Sequence, residues 1–432
     1  MNTNNYTSNG WDLIAATTQD SMNKQLSKLP EIVVDEDFTI PAFGLDIPCN
    51  VDIVLSAPKL ETLELSGKQV NIIFPIKGII TMGTEKIILQ SNQKVIITTQ
   101  LLQIKADIDP LDKDENKTRY HLIIDFKNKD AIVNIKLDLP NAELIALRML
   151  LTKVIQDKIS KKHKYPIASF NLSNDTTKNL KALIPHTADF SFVRDKTNPG
   201  RSNLLILMLT INNKVGNTNF DVPLLPDNQD YMVLVSNEIF MRQYILPSLI
   251  DEVKKQAKNP DKVFNEISCD LIDRDNYLYK VSNSKSINIK GDHHPWIETI
   301  STKIDTDKKA LKFHIDGRAN VTIADIHVKA WDKSWQQFRV DTNEKITLIE
   351  IKEDKNSSSH MEWWKWLIAI LMGPMALIVT AVINAVVSAK KPNLGGTFAD
   401  VGKNLIQWPN QKKVKLKEIE SPNHLVIFVD VD

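Results

Sequence analysis

The stretch HMEWWKWLIAILMGPMALIVTAVINAVVSAKK, residues 360–391, decides how the rest of the chain is interpreted. No charged side chain occurs from Leu367 to Ala389, and an uncharged apolar run of this length can cross a bilayer as a helix. Tryptophans before it and two lysines after it would suit the two membrane interfaces. A helix that is apolar on all sides is also typical of a fully enclosed core helix. The stretch alone therefore leaves both structures open.

The sequence beyond this stretch favours the enclosed helix. The segments KKVKLKEIE and HLVIFVDVD predict two closing strands within residues 411–431. Across a membrane they would form an isolated hairpin, which is marginally stable in water. If they join a sheet made earlier in the chain, the apolar helix at about residues 361–389 must lie against that sheet. A third possibility is a helix that is stored in the soluble form and released on contact with lipid.

Most of the remaining chain shows the period of β-strands. Residues 31–140 contain successive runs of alternating polar and β-branched residues, such as AIVNIKLDL at 131–139. In that run Val133 and Ile135 point to one face, whereas Asn134 and Lys136 point to the other. A sheet with one dry face is typically antiparallel. Because no crossover helices separate these strands, the sequence predicts a meander.

Helical patterns separate the strand-rich regions. Apolar residues recur at helical spacing in residues 11–29, which end at Pro30, and in the segments 140–164 and 236–259. We expect the last of these helices to be kinked at Pro247. The order of long helix, antiparallel strands and long helix occurs twice. We therefore predict an α+β fold with parts at residues 1–165 and 166–432, in which sheets cover long helices.

Composition excludes several classes of protein. The 432 residues carry a net charge of +1, with 42% hydrophobic and 25% charged residues, as in ordinary globular proteins. This balance does not favour nucleic acid as a partner. Cys49 and Cys269 are far apart in the sequence, which predicts two isolated buried thiols rather than a disulfide or a metal site. The polar start, MNTNNYTSNGWDL, does not have the pattern of a signal peptide.

The N-terminal segment NGWDLIAATTQDSMNKQL, residues 9–26, resembles a bacterial accessory family. The family is called P-forty-seven, and with its OrfX relatives it occurs in clostridial neurotoxin gene clusters and related insecticidal clusters. The triplet Gly10-Trp11-Asp12 and the quartet Asn23-Lys24-Gln25-Leu26 carry the resemblance, and the late MGPMALIVTAVINAVVS helix agrees with it.

The resemblance implies the tubular lipid-binding (TULIP) architecture, in which strongly curved antiparallel sheets wrap long helices in an elongated two-part body. It also implies lipid binding and a role beside a toxin complex, and it offers no catalytic residues. We accordingly expect a soluble protein of the bacterial cytoplasm that is released or secreted with a toxin complex. Its expected partners are lipid acyl chains and other toxin-cluster proteins.

Two sets of candidate binding residues follow. Apolar surface between the enclosed helix and its sheet would accept acyl chains. The candidate lipid-facing residues are Leu367, Ile370, Leu371, Met375, Ile378 and Val382. Trp331 and Trp335, four residues apart in KAWDKSWQQF, would form an aromatic patch that contacts a membrane or a protein partner. Packing of both rings on their own sheet is the alternative.

Signals of catalysis are few. The segment GGTFADVGKN, residues 395–404, lacks the spacing and the Ser or Thr of a phosphate-binding loop. His293 and His294 are adjacent, and with His314 and His327 they are the only hint of a metal site. We predict no catalytic residue, no metal and no cofactor. The leading hypothesis is a non-enzymatic lipid-binding accessory protein, and the alternative is a packed scaffold that docks other proteins without lipid.

Overall fold

The computed structural model describes residues 6–42, 45–63, 66–105, 117–124, 132–137, 144–155, 165–173, 185–210, 215–291, 294–321, 326–344, 346–357, 406–407 and 414–431. The helix predicted at about 361–389, with its six lipid-facing candidates, lies outside these residues. The strands are β1 (Leu13–Thr18), β2 (Ile32–Ala42), β3 (Leu45–Leu55), β4 (Lys59–Thr62), β5 (Ser66–Gly67), β6 (Gln69–Met82), β7 (Glu85–Lys105), β8 (Lys117–Ile124), β9 (Ile132–Leu137), β10 (Tyr165–Ser173), β11 (Thr187–Val193), β12 (Asn203–Leu209), β13 (Tyr231–Val235), β14 (Ile267–Asp273), β15 (Leu278–Asn283), β16 (Ile287–Asn288), β17 (Trp296–Asp305), β18 (Ala310–Val321), β19 (Ile326–Val340), β20 (Ile346–Ser357), β21 (Ile406–Gln407), β22 (Val414–Glu420) and β23 (Leu425–Val431).

Short helices accompany the strands. They are α1 (Gln19–Leu26), α2 (Leu144–Val154), α3 (Asn237–Ile239), α4 (Leu246–Gln256) and α5 (Pro260–Glu266), with a 3₁₀ turn at Pro199–Arg201 and a π-helical turn at Phe240–Ile245. The described strands form three antiparallel sheets. The antiparallel sheets predicted from the sequence are thus confirmed, whereas their wrapping of long helices stays a prediction.

The first sheet joins the two ends of the chain. Its strand order is β22-β23-β13-β1-β12-β11-β5. The N-terminal strand β1 pairs with β12 on one side and β13 on the other, and β13 pairs with the last strand, β23. The two closing strands therefore rejoin a sheet made earlier, as predicted. The division at residue 165 stays a prediction, although β1 pairs with strands from beyond it.

Both faces of the first sheet are buried. Leu13 and Ala15 of β1 belong to the main apolar core, while Ile14 and Ala16 belong to a second core on the opposite face, with Phe220. This arrangement corrects the helix predicted at 11–29, because its first half is strand and only α1 is helical. A strand buried on both faces carries no alternation of polar and apolar residues, so its apolar run can be mistaken for a helix.

The second sheet is the predicted meander. Its main order is β2-β3-β6-β7-β8-β10-β21, with β4 beside β6 and β9 beside β7. Residues of β6 alternate strictly between the core and the outer face, from Val70 to Ile76. Helix α2 packs on this sheet, and the stripe predicted for it is confirmed at its buried residues Leu147, Leu151 and Val154.

The third sheet has the order β14-β15-β17-β18-β19-β20, with β16 beside β17. Its inner face packs against a continuous helical segment made of α3, the π-helical turn and α4. The π-helical turn ends two residues before Pro247, and the kink predicted at this proline stays a prediction. Pro247 occupies the first turn of α4, where its missing N–H is tolerated.

The Gly10-Trp11-Asp12 triplet fixes the start of the first sheet. The buried Asp12 carboxylate accepts hydrogen bonds from the backbone N–H and the hydroxyl of Thr210, at 2.7 and 3.2 Å from its Oδ2. The Trp11 indole donates to the carbonyl of Asn217 at 3.0 Å. The indole lies so close to Gly216 that a Cβ there would come within 2.7 Å of the ring. The motif that carries the family resemblance is therefore a structural anchor.

A buried polar junction ties the first sheet to the third. Asn237, at the start of α3, is fully buried. Its backbone N–H donates to Nδ1 of His424 at 3.0 Å, and its side-chain amide donates to the carbonyl of Asn423 at 3.0 Å. Its Oδ1 accepts from the backbone N–H of Tyr279 in β15 at 2.7 Å. The β22–β23 turn, the helical segment and the third sheet thus share one side chain.

The same turn binds two further segments. Asn423 donates to the carbonyl of Tyr6, and the Tyr6 hydroxyl donates to Glu420 at 2.9 Å. Ser421 donates to the carbonyl of Lys309, in the turn between β17 and β18, at 3.0 Å, and the Lys309 ammonium pairs with Glu420 at 3.0 Å. The polar junction therefore links the N-terminal residues, the closing strands and the third sheet.

The pH dependence of stability tests this junction. Burial lowers the pKa of His424 from its ordinary value to about 3, so the folded chain keeps the imidazole neutral where the unfolded chain protonates it. Stability should fall as the pH drops from about 6.5 towards 3, by about 1.4 kcal/mol per pH unit. In urea unfolding at pH 6.5 and 4.5, His424→Gln should lose less stability than the parent.

The same substitution at the half-exposed His186 provides the matched control and should retain the parental pH dependence. Parallel losses of stability in His424→Gln and the parent over this pH range would contradict a buried neutral histidine at the junction.

Candidate functional site

The inner face of the third sheet is filled by apolar side chains. Phe240 of the π-helical turn meets Phe338 of β19 edge to face, with ring centroids 5.7 Å apart. Phe313 and Ile315 of β18 are buried in the same core. Side chains of the protein therefore fill the contact between this helical segment and its sheet. The six predicted lipid-facing residues lie outside the described residues, so their role stays a prediction.

The outer face of the third sheet carries a row of cations. Cross-strand pairing places Lys280 of β15 beside Lys303 of β17, and Lys303 beside Lys312 of β18. Lys312 pairs with Trp335 of β19, which pairs with Lys352 of β20. We call these five residues the lysine row. Like charges directly opposite each other destabilise a sheet, so the row is unfavourable in the isolated chain.

Trp335 lies beneath the lysines of this face. The residue is 5% exposed, and the ammonium groups of Lys312, Lys308 and Lys352 lie 5.0, 5.1 and 5.2 Å from the centroid of its ring. Such cation–π contacts hold the ammonium groups over the ring. The indole N–H donates to Oδ2 of Asp305 at 2.7 Å. Trp335 therefore organises the cations of the face and is itself covered by them.

The charges of this face alter its ionisable groups. Burial, together with the neighbouring Lys303, Lys333 and Lys308, lowers the pKa of Lys312 against the opposing effect of Asp305. Although burial raises the pKa of Asp305, the hydrogen bond from Trp335 and the cations of Lys308 and Lys312 bring it below its ordinary value. Burial and the neighbouring cations thus act together on Lys312, whereas hydrogen bonding and the cations act together on Asp305.

Trp331 is more accessible than Trp335. The two rings lie on the same outer face of β19, as their spacing in a strand requires. Trp331 is half-buried, and the ammonium group of Lys333 lies 4.5 Å from its ring centroid. The predicted contact role of the pair stays a prediction. The structure adds the lysines around the two rings, which come from three neighbouring strands and the β17–β18 turn and which sequence spacing does not reveal.

The histidines do not assemble into a site among the residues described. His314 bonds to Asp316 Oδ1 through Nε2 at 3.0 Å, and burial lowers its pKa. His294 is exposed in a turn, while His293 and the side chain of His327 lie outside the description. Within the described ranges, no group of three or more His, Cys, Asp or Glu side chains is placed to hold a metal ion.

Predictions about the two cysteines and about a membrane-spanning helix remain to be compared with the structure. Cys49 and Cys269 are buried free thiols, as predicted, and burial raises the pKa of Cys269 to about 12. In the part of the chain that the structure describes, no helix has both the length and the apolar character needed to cross a membrane. The glycine-containing segment at 395–404 and the predicted helix at 361–389 lie outside that part.

The fold of the described residues defines the class of protein. The described residues form open antiparallel sheets that bury apolar faces against short helices. The sequence matches no protein-family model and no curated protein.

Solved structures that share this fold include two P47 proteins. P47 from Clostridium botulinum A2 aligns with a TM-score of 0.67 and 17% identity, over 98% of this chain and 97% of that one. P47 of Clostridium botulinum E1 aligns with a TM-score of 0.67 and 16% identity, over 98% and 99% of the two chains. The chain therefore has the P47 fold, which confirms the resemblance seen in residues 9–26 at the level of fold.

A lipopolysaccharide binding protein also aligns, over 98% of this chain and 99% of that one, with 11% identity and a TM-score of 0.27. This score is below the range that indicates a shared fold.

Replacing Trp335 by phenylalanine tests its structural role. The ring remains, but the hydrogen bond from the indole to the Asp305 carboxylate is lost. Because the bond reaches a charged group, we expect a loss of about 1–3 kcal/mol in the free energy of unfolding. Trp331→Phe, at the half-buried position on the same strand, is the control and should cost less in the same denaturation assay. Equal losses would contradict the role assigned to Trp335.

Proposed function

We propose that the chain is a non-enzymatic lipid-binding or membrane-associating accessory protein of a bacterial toxin gene cluster. The observation that carries the proposal is the burial of one apolar sheet face against helices in a chain that also has an uncharged stretch from Leu367 to Ala389. A helix of that composition needs cover on every side. Where the cover is incomplete, acyl chains can supply it, each buried methylene contributing about 0.8 kcal/mol.

The non-enzymatic part of the proposal rests on the sequence. It contains none of the nucleophile, dinucleotide-binding or zinc-protease motifs that would indicate a catalytic centre. The toxin-cluster setting rests on the resemblance to the P-forty-seven family, with which the P47 fold agrees. Acyl chains are thus the proposed ligand, and other proteins of the cluster are the proposed partners.

Native mass spectrometry of the purified protein, combined with lipid extraction, tests lipid binding. We expect a bound mass that extraction removes and identifies as lipid. The double variant Leu371→Asn, Ile378→Asn should carry less lipid, because amide groups disfavour acyl chains. Val215→Asn, Val222→Asn changes two exposed side chains in the same way and should retain the parental amount.

Vesicle flotation provides the second measurement. Uncharged phosphatidylcholine vesicles at high salt limit attraction to the lysine row, so flotation under these conditions reports apolar association. A lipid-free mass together with the absence of flotation would overturn the proposal.

A packed scaffold that docks other proteins is the second candidate function. The contact of Phe240 with Phe338 favours it, because side chains of the protein itself fill the space between helix and sheet there. A scaffold predicts that the purified chain carries no lipid and co-purifies with other proteins of the cluster.

A further inference from the structure

A second charged strip lies on the outer face of the second sheet. Asp35 of the edge strand β2 pairs with Asp52 of β3. Asp52 pairs with Ile79 of β6, and Ile79 pairs with Ile88 of β7. We call these four residues the acidic row. Asp35 and Asp52 are exposed, and among the residues that the structure describes no hydrogen bond or ion pair places a cation between them. Two carboxylates directly opposite each other are unfavourable in an isolated sheet.

Exposed aliphatic side chains accompany these carboxylates. Ile88 is 66% exposed, and Val33, two residues before Asp35 on the same face, is 67% exposed. Burying such exposed aliphatic side chains in a contact is favourable, because it removes apolar surface from water. The acidic row and its neighbour Val33 therefore combine two exposed carboxylates with exposed aliphatic side chains on one face of the sheet.

The lysine row is complementary to this strip in charge and spacing. Both rows run across neighbouring strands, which lie about 4.8 Å apart in any sheet. The adjacent cations Lys303 and Lys312 can therefore face the adjacent carboxylates of Asp35 and Asp52. The hydrocarbon stems of the lysines can cover the exposed aliphatic groups. Each row would thus relieve the like-charge repulsion within the other.

We propose that the lysine row of one copy docks onto the acidic row of a second copy. This inference goes beyond the proposed function and does not depend on lipid binding. The two surfaces differ, so the contact is head-to-tail and extends into open chains or closes into a ring. Four strands span roughly 20 Å. A contact of that width buries less surface area than a standard protein–protein interface. Self-association is therefore weak and sensitive to salt.

A protein surface fits the lysine row better than a bilayer does. Asp305 lies beside Trp335, and Asp354 pairs across strands with Lys333, so carboxylates interrupt the cations. A partner with charges at fixed positions can avoid these carboxylates, whereas a uniformly anionic bilayer cannot. Trp335 is covered by lysines and cannot insert among lipids.

Sedimentation velocity on the full chain tests the proposal. The sedimentation coefficient should rise with protein concentration at about 30 mM salt and stay constant at about 0.5 M salt. Lys303→Glu, Lys352→Glu makes both faces acidic, and Asp35→Lys, Asp52→Lys makes both faces basic. Each double variant alone should bind itself at least about tenfold more weakly than the parent. All four positions are exposed, so both variants should keep the fold.

Mixing the two variants is the decisive step. Each altered face then meets an altered face of opposite charge, and the mixture should associate again. Lys196→Glu, Lys258→Glu makes the same change in net charge at exposed sites away from both rows, and this control should self-associate as the parent does.

Two results would overturn the proposal. One is a parent chain that stays monomeric at low salt. The other is self-association that persists in Asp35→Lys, Asp52→Lys. Binding to vesicles that contain phosphatidylserine shows whether the lysine row binds an anionic bilayer or a second copy of the chain. If the Lys303→Glu, Lys352→Glu change abolishes binding to these vesicles while the mixture of variants fails to associate, the row binds an anionic bilayer and the second copy is excluded.

Discussion

Burial of both faces of the first sheet is the constraint on which the rest of the structure depends. A sheet that is buried on one face only can lose an edge strand at small cost. This sheet separates two apolar cores, so a lost strand would expose apolar residues on both faces. Its central strand β1 comes from the start of the chain, and β23 comes from the end. The sheet therefore depends on pairing between segments that are far apart in the sequence. The polar junction at Asn237 then fixes the helical segment and the third sheet to the same turn.

Strands with one solvent-exposed face were predicted well from the sequence. Strands that are buried on both faces were predicted poorly. The alternating run of β6 was recognisable because its polar residues face water. In β1 all six residues are buried, so helix and strand have the same apolar pattern. The β14–β15 hairpin was missed for the opposite reason. Leu271 and Ile272 of β14 are both exposed, which breaks the alternation that identifies a strand.

The candidate surfaces were predictable only in part. The spacing of Trp331 and Trp335 placed both rings on one face, and this geometry is local to a single strand. The lysine row and the acidic row each depend on the register of at least four strands, and β-bulges between neighbouring strands shift that register. No spacing in the chain reveals which lysine will lie beside Lys312. Charge that is balanced at +1 overall is thus separated into opposite strips by the pairing of strands.

Hydrogen exchange of the β1 amides tests the central claim most directly. The full chain is compared with a chain that ends at residue 413 and therefore lacks β22 and β23. If the closing strands complete the first sheet, the amides of Leu13–Thr18 should be strongly protected in the full chain and should exchange at nearly unprotected rates in the shortened one. Equal protection of β1 in the two chains would contradict the account.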